Sequence, residues 1–384
     1  MTRSVWHIDQ TAKSRADFCV VGAGLLGAAT AFWLGRLQPD AEVVLLDRRW
    51  PAYGASGRNA GFLLQGAVTD YVTDIKLYGA EKALRLRQLT HENRDRLLAE
   101  LDPEAFRFRP TGSLTVAGDP AEEARLRESE TLMREGGFPA RFLEAEEVNR
   151  RLESRAYLGG LFAESGGMLD PVALVTQLVA RSGARLWTGA EVARLERGLV
   201  VGDGFEIEAG KTVVCGGPWT PSLVPEARDW VSPIRAQMLA FSPGDLRIPM
   251  PVYSHEGYYY IRSDEEGRVL LGGARHLHRE AEVGFEDRVT PRLQSDLEAY
   301  GLHHFPGLAG RSVERRWSGT MGFSPDGLPF VGALDNGRLV ATGFTGHGLA
   351  YGFRCGLMLA NLALGRRDEF ADLFDPHRTI SSGS

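Results

Sequence analysis

The stretch "FCVVGAGLLGAATAFWLGRL", residues 18–37, restricts the fold more than any other in this 384-residue chain. A short β-rich apolar run, 18–21, turns through Gly22-Ala23-Gly24-Leu25-Leu26-Gly27 and continues as an Ala/Leu-rich helix to about Leu37. A G-x-G-x-x-G run acquires meaning between a strand and a helix. Gly22 permits the tight turn, Gly24 lets the backbone approach a pyrophosphate, and Gly27 lets the helix lie close on the sheet. The free N–H groups and dipole at the helix start then hold phosphates. A second strand, "AEVVLLD", ends in Asp47, about twenty residues on, where a carboxylate accepts bonds from ribose hydroxyls. The three signals in register predict a parallel βαβ unit that binds a dinucleotide. Arg48 and Arg49 follow the acid and would suit a 2′-phosphate, but Asp47 would repel one; their bland reading is a solvated strand end.

Composition excludes several classes. The chain is 43% hydrophobic and 24% charged with a formal charge of −6, which gives no electrostatic case for nucleic acid or an anionic membrane as partner. Its 46 glycines follow no G-X-Y period, so they serve turns and close backbone approaches. Cys19, Cys215 and Cys355 are scattered, without CxxC spacing or a His/Cys cluster, and read as buried thiols rather than metal ligands. His303–His304 is an isolated pair. The N-terminal residues have no apolar signal core, and "GLAYGFRCGLMLANLALG" is interrupted by Arg354 and glycines, so no membrane span is expected and the default location is cytoplasmic.

The glycine motif does not choose between FAD and NAD; the rest of the chain does. After Asp47 comes not a second βα unit but the small-residue loop "GASGRNAG", 54–61, and then a charged helical stretch. Here the sequence resembles the FAD-dependent D-amino-acid oxidase-like family, which includes glycine and sarcosine oxidases. The resemblance spans about residues 17–365. It implies that the loop passes under the FAD pyrophosphate and beside the flavin, with Ala55, Ser56, Gly57, Arg58, Asn59, Ala60 and Gly61 contributing N–H groups and the Ser56 hydroxyl. "GGMLDPVALVTQLVARSGARLWTGAEV" resembles the family's return to the cofactor, with Asp170 and Pro171 starting a helix and Val192 against adenine. "KTVVCGGPWTPSL" resembles its strand ending near the ribose and pyrophosphate, at Gly216 and Trp219; core packing is an equal reading of Trp219. "GFTGHGLAYG" is similar to the family's C-terminal signature, which implies Gly343, Gly346, His347, Gly348 and Leu349 against the flavin at a helix N-terminus. The cysteine that links flavin covalently in some relatives would fall near Gly319, where no cysteine stands, so FAD is expected to be non-covalent.

The fold expected is α/β (α+β overall): a Rossmann-like FAD-binding domain of residues 17–90, 150–225 and 318–384, and a substrate domain of 91–149 and 226–317 on a mainly antiparallel sheet. Residues 1–16 form an N-terminal extension. Turn signals at Asp264–Gly267 and Ser242–Gly244 suggest hairpins. In "YYYIRS" alternation sends Tyr258, Tyr260 and Arg262 to one face, which could meet substrate or could be a plain strand edge. His347 is a further candidate there. The arginine that anchors the substrate carboxylate in glycine and D-amino-acid oxidases matches Met321 here. The lysine of sarcosine oxidases after the GHG turn matches Ala350, and their oxygen-activating lysine matches Leu270. Arg262, Arg275 or Arg58 are the alternative anchors, unless the substrate has no α-carboxylate. The resemblance implies hydride transfer from the carbon of a C–N bond to flavin N5, giving an imine that hydrolyses. The substrate is a small amine or amino acid, and O2 or another acceptor reoxidises the flavin. No catalytic acid or base is certain. A flavin dehydrogenase of hydroxy acids, or a flavin-binding subunit needing a partner, is the alternative.

Overall fold

The computed structural model describes residues 11–67 and 69–380. Two eight-stranded sheets organise them. The first runs in the order Phe330–Ala333, Leu339–Thr342, Phe205–Val214, Ala12–Val21, Val43–Asp47, Arg185–Thr188, with Val192–Glu196 and Leu199–Gly202 extending Phe205–Val214 antiparallel. Its central strand pairs in parallel on both sides, with Phe205–Val214 and Val43–Asp47. A parallel sheet covered on both faces needs a near-continuous apolar run, which residues 18–21 supply: all four are buried. The strand nevertheless starts at Ala12, not Phe18. Its polar first half is held by pairing from Ala12 opposite Phe205 onward, a long-range partnership that local apolarity does not show. Residues 12–16 of the expected extension therefore belong to the sheet, while residues 1–10 lie outside the described residues.

The helix that follows the glycine turn, Leu25–Leu37, packs on the C-terminal helix Gly348–Ala363 at glycine-thin contact. A Cβ on Gly356 would come within 2.7 Å of the Ala29 Cβ and 2.8 Å of its carbonyl carbon; one on Gly352 would meet Leu25 Cδ2 at 2.8 Å. Trp33 Nε1 donates to the Phe353 carbonyl at 3.0 Å, locking the register. Arg354 turns away from this seam and, though buried, is fully paired: bidentate to Asp368 at 2.8 and 3.0 Å and to Glu92 at 2.9 Å on the helix Ala80–Glu100. Among the described residues no helix is long and apolar enough to cross a membrane.

The second sheet is ordered Val313–Phe323, Ser232–Phe241, Val269–Gly273, Tyr259–Ser263, Val252–Ser254, Ser113–Ala117, Gly159–Ala163, Ala140–Glu144. All its neighbours are antiparallel except Val252–Ser254 beside Ser113–Ala117. Asp264–Gly267 is a hairpin turn, with Asp264 N donating to Arg268 O at 3.0 Å. Ser242–Gly244 is not: Ser232–Phe241 pairs with Val269–Gly273 and Val313–Phe323, so the turn only ends a strand. Two placements differ from the expected boundaries. Gly159–Ala163 pairs within this second sheet, and Val313–Phe323 runs unbroken through the expected division at 317/318. Pairing partners far away in sequence decide both.

Gly→Ala inside a helix ordinarily stabilises by about 1 kcal/mol. At Gly356 the new methyl would strike helix backbone, so Gly356→Ala should instead cost about 1–3 kcal/mol. Urea unfolding of the variant beside the parent protein reads the sign.

Candidate active site

Between the two sheets lies a cavity of about 310 Å³. One wall is the glycine turn. Gly22 has φ +105° and a Cβ there would sit 2.4 Å from the Cys215 carbonyl oxygen; at Gly27 it would sit 1.8 Å from that of Gly22. Those two glycines are demanded by protein backbone, whereas Gly24, Leu25 and Leu26 face the cavity. Asp47 braces the turn: Oδ2 accepts from Ala23 N at 2.8 Å and Oδ1 from Arg49 N at 2.7 Å.

The opposite wall is the loop 54–61, and its side chains are occupied in shaping it. Ser56 Oγ accepts from Leu25 N at 2.9 Å, joining the loop to the start of the first helix. Asn59 Nδ2 donates to the carbonyls of Ala55 and Ser56 at 3.0 and 2.9 Å, and its Oδ1 accepts from Gly61 N at 2.8 Å. Arg58 donates from Nη1 to Asp287 Oδ1 at 2.6 Å and Ser318 O at 2.9 Å, and from Nε to Tyr53 O at 2.9 Å. The pair holds Asp287 below the usual carboxylate range and raises Arg58. Trp317 Nε1 donates back to Arg58 O at 2.9 Å. Arg58 is thus a clasp between loop and second sheet, with its charge already answered.

The third wall is the turn 343–347 and the start of the C-terminal helix. Gly343, Thr345 and Gly346 take φ +75°, +46° and +84°, and Ser324 secures Thr345 through its N–H and hydroxyl. The side chain of the N-cap residue His347 does not cap the helix, so Gly348 and Leu349 at its start face the cavity with Leu26 of the first helix, whose Leu25 N is held by Ser56. His347 Nδ1 is buried with no hydrogen-bond partner among the described residues, and burial lowers its pKa to about 4.

The roof comes from the second sheet. Tyr258, Tyr260 and Met321 line the cavity. The Tyr260 ring lies over Gly272, where a Cβ would come within 2.2 Å of it, and burial pushes its hydroxyl up to about 12. Arg262 shares that face of the strand but lies outside the cavity lining, packed beside Gly61; Arg275 is on the wall, as Arg58 is, and lies 4.5 Å over the Phe323 ring. No carboxylate among the described residues is within ion-pair distance of Arg275, and burial lowers its pKa. Ala55, Ser56, Arg58, Asn59, Ala60, Gly343 and Gly346 complete the expected residues on the wall. Gly57, Gly61 and Gly216 are not among the lining residues. Asp47, Arg48, Val192 and Trp219 are outside the lining; Arg48 lies 4.1 Å over the Trp219 ring and Ala190 N donates to Asp47 O.

Several lining residues were not expected from sequence. Phe62 and Leu64 follow the loop at strand spacing, and Met238 and Tyr253 come from strands of the second sheet. Glu256 and Gly257 belong to a turn in which His255, Glu256 and Gly257 all take positive φ, +51°, +56° and +82°. "SHEGYYY" holds a turn glycine between apolar runs, a signal that could have found this hairpin. Removing the three bonds of Asn59 in Asn59→Ala should cost about 1–3 kcal/mol. Amide exchange at Gly61 should quicken about tenfold, equivalent to ~1.4 kcal/mol, while the sheets keep theirs.

Comparison with known proteins agrees with this geometry. The family model described as FAD dependent oxidoreductase matches residues 17–362. Gamma-glutamylputrescine oxidoreductase of Escherichia coli (strain K12) is 28% identical over 391 residues, covering 96% of this chain and 88% of that one. L-2-hydroxyglutarate dehydrogenase of the same strain is 26% identical over 263 residues, 66% of this chain and 56% of that one. The crystal structure of glycine oxidase from Geobacillus kaustophilus superposes with a TM-score of 0.82 at 22% identity, covering 96% of this chain and all of that one, and so shares the fold. With nearly the whole chain matched, a cofactor cavity walled by glycine turns and two sheets in the same arrangement, this protein belongs to the family of FAD-dependent oxidoreductases.

Proposed function

We propose that the protein oxidises the C–N bond of an amine or amino acid, releasing an imine that hydrolyses in water, with FAD held non-covalently. The residues present suit FAD. Two helix N-termini open on one cavity, one with its first N–H already held by Ser56, Gly348 leaves its backbone accessible, and no cysteine thiol is placed as a ligand: Cys215, which borders the cavity, is pushed up to about 12 by burial and turned to Thr30. The glycine turn and loop 54–61 would hold the pyrophosphate, Asp47 and Trp219 the adenosine side, and residues 343–349 the flavin side. Bound there, FAD would supply the two-electron acceptor for oxidation of the carbon that bears the nitrogen.

The observation that carries the amine reading is the chemistry of the remaining wall. Tyr253, Tyr260 and Met238 make it aromatic and apolar, and its one imidazole, His347, is held down to about 4. A group that weak is a poor base for a hydroxyl proton, whereas a neutral amine arrives with its lone pair free and needs none. The tyrosines and methionines desolvate and orient the amine; the cavity favours its uncharged form for the same reason that it favours neutral His347. Arg275 is the group on the wall suited to an α-carboxylate, since Arg58 is committed to Asp287. Oxidation of a hydroxy acid is the second reading, favoured by the similarity to L-2-hydroxyglutarate dehydrogenase.

Anaerobic titration of the yellow protein with primary and secondary amines, amino acids and hydroxy acids decides between them. Amines or amino acids should bleach the flavin and hydroxy acids should not; the reverse pattern overturns the proposal. Admission of air then distinguishes O2 from another electron acceptor. The pH dependence follows from His347. Neutral above about pH 5, it should give no inflection near 6.5, and the bleaching rate at low substrate should rise with pH as the substrate ammonium loses its proton. An inflection near 6.5 that vanishes in His347→Gln would show an imidazole base at work.

A further inference from the structure

Past Leu64, Tyr253, Glu256, Gly257 and His347, which it shares with the first cavity, lies a second chamber of about 280 Å³. Its wall includes Arg87, only 4% exposed. Among the described residues Arg87 Nε has no hydrogen-bond partner and no carboxylate lies within ion-pair distance of the guanidinium. The two other fully buried arginines behave differently: Arg235 pairs with Glu282 at 2.7 Å and Arg354 with Asp368 at 2.8 Å. Buried charges are ordinarily paired in this way. Arg87 is instead positioned by shape. Its guanidinium lies 4.6 Å over the Tyr71 ring, and Gly66, where a Cβ would come within 2.7 Å of Nη2, leaves it room. Beside it on the same wall both polar atoms of the Gln65 amide are buried and without partners.

We propose that this chamber is a subsite for a carboxylate at the far end of the amine substrate whose C–N bond lies in the first cavity, with Arg87 and Gln65 as its recognition groups. The proposal rests on the amine reading above. The other charged groups on the wall are already engaged. Asp70 accepts from the N–H and hydroxyl of Thr73 and lies 3.6 Å from Arg125. Glu122 accepts from Gly118 N and Glu256 N, each at 2.8 Å, and Arg125 donates to Glu256 at 2.6 Å. Asp74, whose field Arg87 feels from beyond ion-pair distance, takes hydrogen bonds from Thr69 Oγ1 and Ala67 N. A planar carboxylate matches the guanidinium fork with two parallel bonds and completes the Gln65 amide. A dianion such as phosphate would meet Asp70 and Glu122 with its extra charge.

The test uses the FAD-loaded protein under anaerobic conditions and two series of probes: straight-chain ω-amino carboxylates of increasing length, each beside the n-alkylamine of the same length. Apparent dissociation constants are read from perturbation of the flavin absorbance, separately from the rate of bleaching. At the length that reaches the chamber, the carboxylate should bind about tenfold or more tightly than its alkylamine. Arg87→Met should remove that advantage and leave the alkylamine constants unchanged. Gln65→Leu should reduce it by a smaller factor, and carries the test if the arginine variant does not fold. Alkylamines that bleach the flavin while no carboxylate gains affinity at any length would overturn the subsite alone, as would an advantage that survives both substitutions. Failure of both series to perturb or bleach the flavin would overturn the amine reading and the subsite with it.

Discussion

The contact between the first and last helices of the chain is the constraint from which the site follows. Gly352 and Gly356 bring Gly348–Ala363 within backbone distance of Leu25 and Ala29, and Trp33 fixes the register on Phe353. Helices this close, aligned this way, open their N-terminal ends on the same space. Each end leaves N–H groups without intrahelical partners, and neither has a capping side chain from its N-cap residue, Gly24 or His347. Ser56 Oγ answers Leu25 N at the first of these ends, and the donors that remain face the cavity that holds the cofactor. Glycine at the seam is thus a requirement of the cavity as much as of the packing.

The polar side chains around the cavity divide into those that build it and those left open. Asp47, Ser56, Asn59 and Arg58 all carry short bonds to backbone or to Asp287, and together they freeze the turn and the loop against each other and against the second sheet. His347, Arg275 and, in the adjoining chamber, Arg87 and Gln65 retain unanswered capacity. Among the described residues the other fully buried arginines each hold a carboxylate, and a buried donor left without a protein partner carries a desolvation cost that a ligand or ordered water offsets.

The same division explains how the sequence reading of the site fared. Arg58 stands where it was expected in the loop, but the chemistry open to it depends on Asp287, distant in sequence and brought near by the packing of the second sheet. Arg262 and Tyr260 share a strand face, yet the cavity ends between them, and Arg275, from the following strand end, occupies the wall. Alternation names a face; it does not say how far along that face a cavity extends.

By itself the sequence determined the parallel βαβ unit, the glycine turn with Asp47, the helix capped by Asp170, the hairpin at 264–267 and the glycine-rich turn before the last helix. Each of these is written in contiguous residues whose backbone geometry few other residue types permit. The tertiary structure alone decided that the first strand begins at Ala12, that Gly159–Ala163 joins the second sheet, and that Arg87 ends on a chamber wall beyond ion-pair distance of any carboxylate among the described residues. Strand pairing, ion pairing and cavity shape depend on residues that are not contiguous in the chain, and their outcome is fixed only when the two sheets and the two helices close on one another.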